Sequence, residues 1–504
     1  MTEPLLLALD QGTSSSRAAL FNGAGETIAV AQVPLSVHYP ADGWVEQDAE
    51  EIWLTQLEAM RRLEASISPA QRAAVAACGV TNQRETTILW RRGDSAALGP
   101  ALVWQDRRTH RICGEWRGLS VATTWMERTG LVLDPYFSAS KIRWLLDQDA
   151  DACAAQQQGE LCFGTVDSWL LWQLSGGRRH ATDFSNASRT LLLDLDGLDW
   201  LPLALEQVGI GRDSLPELLP CRASFATITA GLPFAGTPIT ALMGDQQAAT
   251  FGQFCLKPGQ AKCTYGTGAF LVVNSGREPL RAPGGLLSTV GWVEPDGQVT
   301  YCLEGSVFNA GTVVQWLRDG LGLIRSAEEM DGLAASVASA GDVMLVPAFT
   351  GWGCPHWDPS ARGLLIGLNR DSGAAHIARA ALDGVALSIS TLVELAETAL
   401  GVPLDHLAVD GGAAASDLLL QAQADSSGLE VKRPAQLEST ALGVALMAGL
   451  EAGVIHDLSA AQDRRGAGIS RFVPQLDPPA RQCWRRRWDD AVQRSLHWHS
   501  DDSV

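Results

Sequence analysis

Apolar residues run unbroken from Leu5 to Leu9 and stop at Asp10. After a Gln-Gly pair and four hydroxyl residues, a second apolar run follows in RAALFN (17–22), with GAGE (23–26) turn-like behind it. Short apolar runs bounded by turn residues predict buried strands, so the chain is read as opening with two strands joined by a tight turn. DAEEIWLTQLEAMRRLEA (48–65) then changes period. Its apolar positions fall at helical spacing, Asp48 stands where an N-cap belongs, and Glu51 follows three residues on, as in a capping box. AAVAACGV (73–80) predicts a further buried strand. In LDPYFSASKIRWLLDQ (133–148), Ile142, Leu145 and Leu146 give one face of a helix, with Ser138 or Ser140 as its cap. Helix and strand patterns alternate to the end of the chain, which predicts α/β architecture.

One pattern occurs twice. The strand–DQGT–strand unit at the start is echoed by KCTYGTGAFLVV (262–273), where Gly-Thr again sits in a turn between apolar strands. The echo is consistent with two related halves, residues 1–250 and 251–504, although Gly-Thr turns alone are common.

Bulk properties narrow the function. The 504 residues carry a formal charge of -19, which repels phosphate at long range and argues against nucleic acid or anionic membrane as partners. Any phosphate must therefore be held by a local site. Only four lysines (Lys141, Lys257, Lys262, Lys432) stand among 38 basic residues. The ten cysteines include no CxxC pair and no zinc-like spacing. No secretory leader or membrane span is read from the sequence, and a cytoplasmic protein with free thiols is expected.

Several stretches could carry chemistry. In DQGTSSSR (10–17) the glycine turn exposes backbone N–H groups, Thr13, Ser14 and Ser15 add hydroxyl donors, and Arg17 adds a fixed charge. Asp10 could hold hydrated magnesium. The stretch is either a phosphate cradle or a polar hairpin, and it is not a Walker loop. Arg84 and Glu85, at a strand end, could donate to and accept from one small polyol, or form a surface ion pair. Trp104 could wall a ligand or belong to the core, and so could Tyr136. Asp245 follows the apolar run TPITALM at the head of an Ala-rich helix, with Gln246 beside it. A carboxylate there can cap the helix or serve as a general base toward a hydroxyl. DGGAAASD (410–417) joins a strand to a helix, and suits either close approach of a nucleotide or a tight turn.

Taken in order, DQGTSSSR, NQRETT, WQDRR, LDPYFSASK, TDFSNASRT, GDQQAA, TYGTG, EGSVFNAG, DGGAAAS and ESTALGVALMAG resemble the FGGY carbohydrate kinases from about residue 5 to residue 450. NQRETT and LDPYFSASK match the branch that phosphorylates glycerol rather than pentuloses. The resemblance implies two actin-like, ribonuclease-H-like domains with an interdomain cleft, and transfer of phosphate from ATP, with Mg2+, to glycerol, giving sn-glycerol 3-phosphate. It implies nucleotide contacts from Thr13, Ser14, Ser15, Arg17, Thr267, Gly311, Gln315, Gly412 and Ser416. Glycerol falls to Arg84, Glu85, Trp104, Tyr136, Asp245, Gln246 and Phe270, and metal to Asp10 and Asp245. Asp245 is the implied general base, converging with the 10–13 turn across an interdomain crevice. A homodimer or homotetramer is also implied. Ser416 replaces the family's usual asparagine. Trp352 and His356 depart from the family pattern too, which keeps open another small polyol, such as erythritol, as substrate. A nucleotide-binding scaffold on the same fold would leave Arg84–Glu85 and Asp245–Gln246 unexplained.

Overall fold

The computed structural model describes residues 3–281, 283–436 and 438–498. Each half is organised on one sheet. In the first, β1 (Leu5–Gln11), β2 (Ser15–Asn22) and β3 (Thr27–Pro34) form an antiparallel meander. β4 (Val75–Asn82) lies parallel to β1, β5 (Arg222–Thr227) forms the far edge, and β6 (Pro238–Gly244) lies parallel to β4, giving the order β3-β2-β1-β4-β6-β5. The second sheet contains β7 (Ala261–Tyr265), β8 (Ala269–Gly276), β9 (Leu287–Val293), β10 (Val299–Val307), β11 (Leu407–Asp410), β12 (Val431–Arg433) and β13 (Ser470–Phe472). Its order is β9-β10-β8-β7-β11-β12-β13. Here too three antiparallel strands, β10, β8 and β7, are followed by two parallel ones, β11 and β12. The two Gly-Thr hairpins are therefore equivalent parts of the two sheets, β1–β2 and β7–β8. This is the doubled actin-like plan.

The unbroken apolar run of β1 has a simple cause. Leu5, Leu7 and Leu9 pack into a core shared with α1 (Ala49–Ser66), while Leu6 and Ala8 pack into another shared with a helix from the far end of the chain. A strand covered on both faces has no polar side to alternate with. Asp48 caps α1 as expected, accepting from the N–H groups of Glu50 at 2.7 Å and Glu51 at 3.4 Å. The capping box does not close, because the Glu51 carboxylate is taken by Ser36, from N–H at 3.2 Å and Oγ at 2.7 Å. The helix α2 (Ser138–Gln148) has no side-chain cap. Ser138 instead donates to the Glu85 carbonyl at 2.9 Å, and Ser140 pairs with Thr109 at 2.8 Å.

Two helices join the halves. α3 (Asp245–Gly252) leads from β6 toward the second sheet. On that sheet α4 (Ala374–Leu400), long and apolar enough to cross a membrane, is largely buried in the core. α5 (Asp417–Ser427) follows β11, and α6 (Ser439–Glu451) returns to the first sheet. α3 and α6 cross backbone to backbone: a Cβ at Gly443 would fall 1.9 Å from the Ala248 carbonyl oxygen. Only glycine permits that approach.

Candidate active site

β1, β4 and β6 run parallel, so their C-terminal ends emerge at one edge. The register pairs Asp10 with Thr81, and both Gln11 and Gly244 with Asn82. Asp10, the Gln83–Glu85 loop and Asp245 therefore leave the sheet together. Asp245 and the 10–13 turn do converge, but they belong to the same sheet edge with one strand between them, not to opposite walls of a crevice. Two strand spacings put them about 10 Å apart at the backbone. Their side chains sense each other: burial pushes the Asp10 carboxyl up to about 7, opposed by Arg17 and reinforced by Glu438 and Asp245. Burial also raises Asp245, against the pull of Arg84 and Lys262.

Arg84 and Glu85 are not a surface pair. Both are buried in a cluster of charges. Arg84 Nε lies 3.2 Å from Asp245 and 3.9 Å from Glu85. Its Nη1 and Nη2 grip both oxygens of Glu304 at 2.6 and 2.8 Å, and Nη1 also reaches Gln247 at 3.1 Å. Arg189, on the loop after the short helix Phe184–Ala187, donates to Glu85 at 2.7 Å and to Glu304 at 3.0 Å. These arginines hold Glu304 down at about 2 despite its burial, while burial raises Glu85. Glu85 has φ 62, left-handed backbone that a non-glycine residue adopts at a cost of about 1–3 kcal/mol. Strain of this kind gathers where a side chain must be aimed.

An aromatic wall stands beside the charges. Trp104 packs edge-on against Tyr136 at 5.8 Å and Phe270 at 5.7 Å between ring centres. The Arg189 guanidinium lies 5.5 Å from the Tyr136 ring centre, joining wall to cluster. Lys141 holds the loop before α2, donating to the carbonyls of Pro135, Tyr136 at 3.1 Å and Phe137 at 3.4 Å. The wall also meets the hairpin, where Trp104 Nε1 donates to Thr13 Oγ1 at 2.9 Å. In that turn Gly12 N–H donates to the Ser15 carbonyl at 2.9 Å, Ser14 is exposed, and Ser15 Oγ accepts from Gln32 at 2.8 Å. Arg17 is ion-paired with Glu438 and stands 3.9 Å from Asp10.

The residues expected at the nucleotide gather around the β7–β8 turn. Thr267 is exposed there, and its carbonyl accepts from Ala310 N–H at 2.9 Å. Gly311 N–H donates to the Gly266 carbonyl at 2.9 Å and starts the short helix Gly311–Gln315, on which Gln315 is exposed. Gly411, with φ 88, backs so closely onto Tyr265 that a Cβ would fall 2.4 Å from its carbonyl oxygen. This brings Gly412 beside the same turn. Ser416 caps α5, accepting from Leu419 N–H at 3.1 Å and donating to Asp331 at 2.6 Å.

For a metal the donor set is Asp10 and Asp245, two buried-edge carboxylates whose charges disfavour each other. That fits Mg2+, a hard cation that takes one or two carboxylates and completes its shell with phosphate and water. Among the described residues no group of three or more His, Cys, Asp or Glu could hold a metal ion.

Known proteins place this arrangement. A model for the N-terminal domain of the FGGY family of carbohydrate kinases matches residues 5–252, and the C-terminal model matches residues 261–452. The chain belongs to the FGGY family of carbohydrate kinases. This FGGY chain is 49% identical over 497 residues to glycerol kinase of Dechloromonas aromatica, covering 99% of the chain and 98% of that protein. The crystal structure of Plasmodium falciparum glycerol kinase with ADP superposes with TM-score 0.89 at 29% identity, covering 98% of each chain. The ligand-bound xylulose kinase of Lactobacillus acidophilus shares the fold, with TM-score 0.84 at 20% identity over 97% of each chain.

The FGGY chain's site also contains residues that sequence reasoning passed over. Lys262, fully buried on β7, donates to Gln246 and, at 2.9 Å, to Thr264, which donates to Asp410 at 2.5 Å. Arg189 and Glu304 lie inside TDFSNASRT and EGSVFNAG, where the surrounding residues do not set them apart. A carboxylate in the apolar run YCLEGSVF, or one of only four lysines in the strand AKCTY, is the signal that could have found Glu304 and Lys262.

Proposed function

We propose that this protein phosphorylates glycerol at a terminal hydroxyl with ATP as donor, giving sn-glycerol 3-phosphate and ADP. The observation that carries the reading is the Arg84–Asp245 contact at 3.2 Å, made on the sheet edge that also bears the 10–17 hairpin. Glycerol would sit against Trp104, Tyr136 and Phe270, with its hydroxyls toward Arg84, Glu85, Asp245 and Gln246. Asp245, raised by burial toward the working pH, suits a general base. It takes the hydroxyl proton as the glycerol oxygen bonds to the γ-phosphorus and the bond to the β–γ bridging oxygen breaks, leaving ADP. The turn amides, Thr13, Ser14, Ser15 and Arg17 would receive phosphate oxygens, and Thr267, Gly311, Gln315, Gly412 and Ser416 the rest of the nucleotide. Asp10 and Asp245 would hold Mg2+, which when bound neutralises phosphate charge. Positioning and electrostatics supply most of the rate enhancement in phosphoryl transfer. Residues 1–250 would then carry the acceptor and phosphate side and residues 251–504 the nucleotide side. A cytoplasmic homodimer or homotetramer belongs to the same reading, on family resemblance.

Erythritol loses its support. Trp352 packs against Trp488 of the helix Pro478–Ser495 at 6.1 Å and against His356 at 5.9 Å, in a core of its own. The test is glycerol-dependent ADP release in a coupled assay, with phosphorus NMR of the product and a panel of C3 to C5 polyols. Release with erythritol but not glycerol would refute the reading.

A further inference from the structure

Glu304 is fully buried on β10 of the second sheet, yet its carboxylate binds two arginines of the first half. It takes Nη1 and Nη2 of Arg84 as a two-pronged pair and Nη2 of Arg189 at 3.0 Å. Gln247 accepts a further Nη1 hydrogen at 3.1 Å. Arg84 Nε is buried and makes no aligned hydrogen bond, although it lies 3.2 Å from the Asp245 carboxylate as an ion pair. A buried N–H beside a carboxylate but not aligned with it can still take a hydroxyl oxygen as acceptor. A planar fork held at its two outer nitrogens cannot rotate, so the remaining N–H is aimed. Arg189, held between Glu85 and Glu304, in turn lies 5.5 Å from the Tyr136 ring centre and fixes the other side of the same space.

We propose that Glu304 is the positioning residue of the acceptor site: it turns the Nε–H edge of Arg84, beside Asp245, toward a hydroxyl of the alcohol substrate and, through Arg189, sets Glu85 opposite. This rests on the glycerol reading above. Because Glu304 comes from the second sheet, the acceptor site is complete only when the two halves are docked, even though its ligands come mostly from the first. Nucleotide contacts do not pass through Glu304, so acceptor binding and nucleotide binding are separable.

The experiment uses the full chain with Glu304→Gln and Glu304→Asp, measuring KM for glycerol, KM for ATP, and kcat. Glu304→Gln is expected to raise glycerol KM at least about tenfold and leave ATP KM within about twofold. Glu304→Asp, which keeps the charge but reaches one arginine less well, is expected to fall between. Unchanged glycerol KM, or equal loss of both KM values, overturns the assignment. Should Glu304→Gln not fold, Glu304→Asp decides on the same two KM values. Failure of the glycerol reading itself would show differently, as a wild-type enzyme without glycerol-dependent ADP release.

Discussion

The indole N–H of Trp104 donates to the hydroxyl of Thr13 at 2.9 Å. Trp104 is one side of the aromatic wall, and Thr13 is in the turn expected to grip phosphate. This single hydrogen bond therefore fastens the acceptor wall to the donor cradle, and positions along it convert into rate.

Trp104→Phe keeps an apolar ring while removing that bond along with part of the indole. A net hydrogen-bond contribution of about 1 kcal/mol corresponds to roughly a fivefold loss. Steady-state kinetics should show it in kcat, with glycerol KM within about threefold. A fall in glycerol affinity alone would mean the indole acts only as wall.

Arg189 pairs with Glu85 and Glu304, and its removal leaves Glu85 buried without its 2.7 Å partner. Breaking a buried pair from one side costs about 3–5 kcal/mol. Arg189→Met should lower the urea midpoint accordingly. A variant as stable as wild type would show that neither Glu85 nor Glu304 depends on Arg189 for its stability.

Asp10 contributes with the opposite sign. Its carboxyl is raised to about 7 from an unfolded value near 3.8, so between those values the folded state binds the extra proton. Stability from this group is lost as pH rises from about 4 to about 7, and above that the folded protein carries a disfavoured charge. Asp10→Asn should therefore raise the melting temperature of the ligand-free protein at pH 8, have little effect at pH 4, and reduce activity. Added Mg2+ with ADP should stabilise wild type more at pH 8 than at pH 5.5, and the variant less than wild type at pH 8. Equal melting temperatures for Asp10→Asn and wild type at pH 8 would contradict the raised value.

Much of the fold was legible because local patterns had local causes. The unbroken run Leu5–Leu9 reflects a strand covered on both faces, and Asp48 caps its helix as its position implies. The repeated Gly-Thr turn marked equivalent strands in the two sheets. Glu51 closes no capping box, and neither Ser138 nor Ser140 caps its helix, because each is claimed by a partner that local spacing does not reveal. The same holds for the site. Arg84 finds Glu304 across 220 positions, and Glu85 finds Arg189 across 104. No periodicity encodes such pairs. The common origin of Asp10 and Asp245 on one sheet edge required the strand order, which places β4 between β1 and β6.

The central claim is that Asp245, beside Arg84 and on the same edge as the phosphate turn, removes the proton from glycerol as phosphate transfers. Asp245→Asn preserves shape and removes the base. Single-turnover measurement with bound ATP and saturating glycerol should show transfer slowed at least about 100-fold, with ATP affinity within a few-fold of wild type. Transfer at near wild-type rate in that variant would contradict the account.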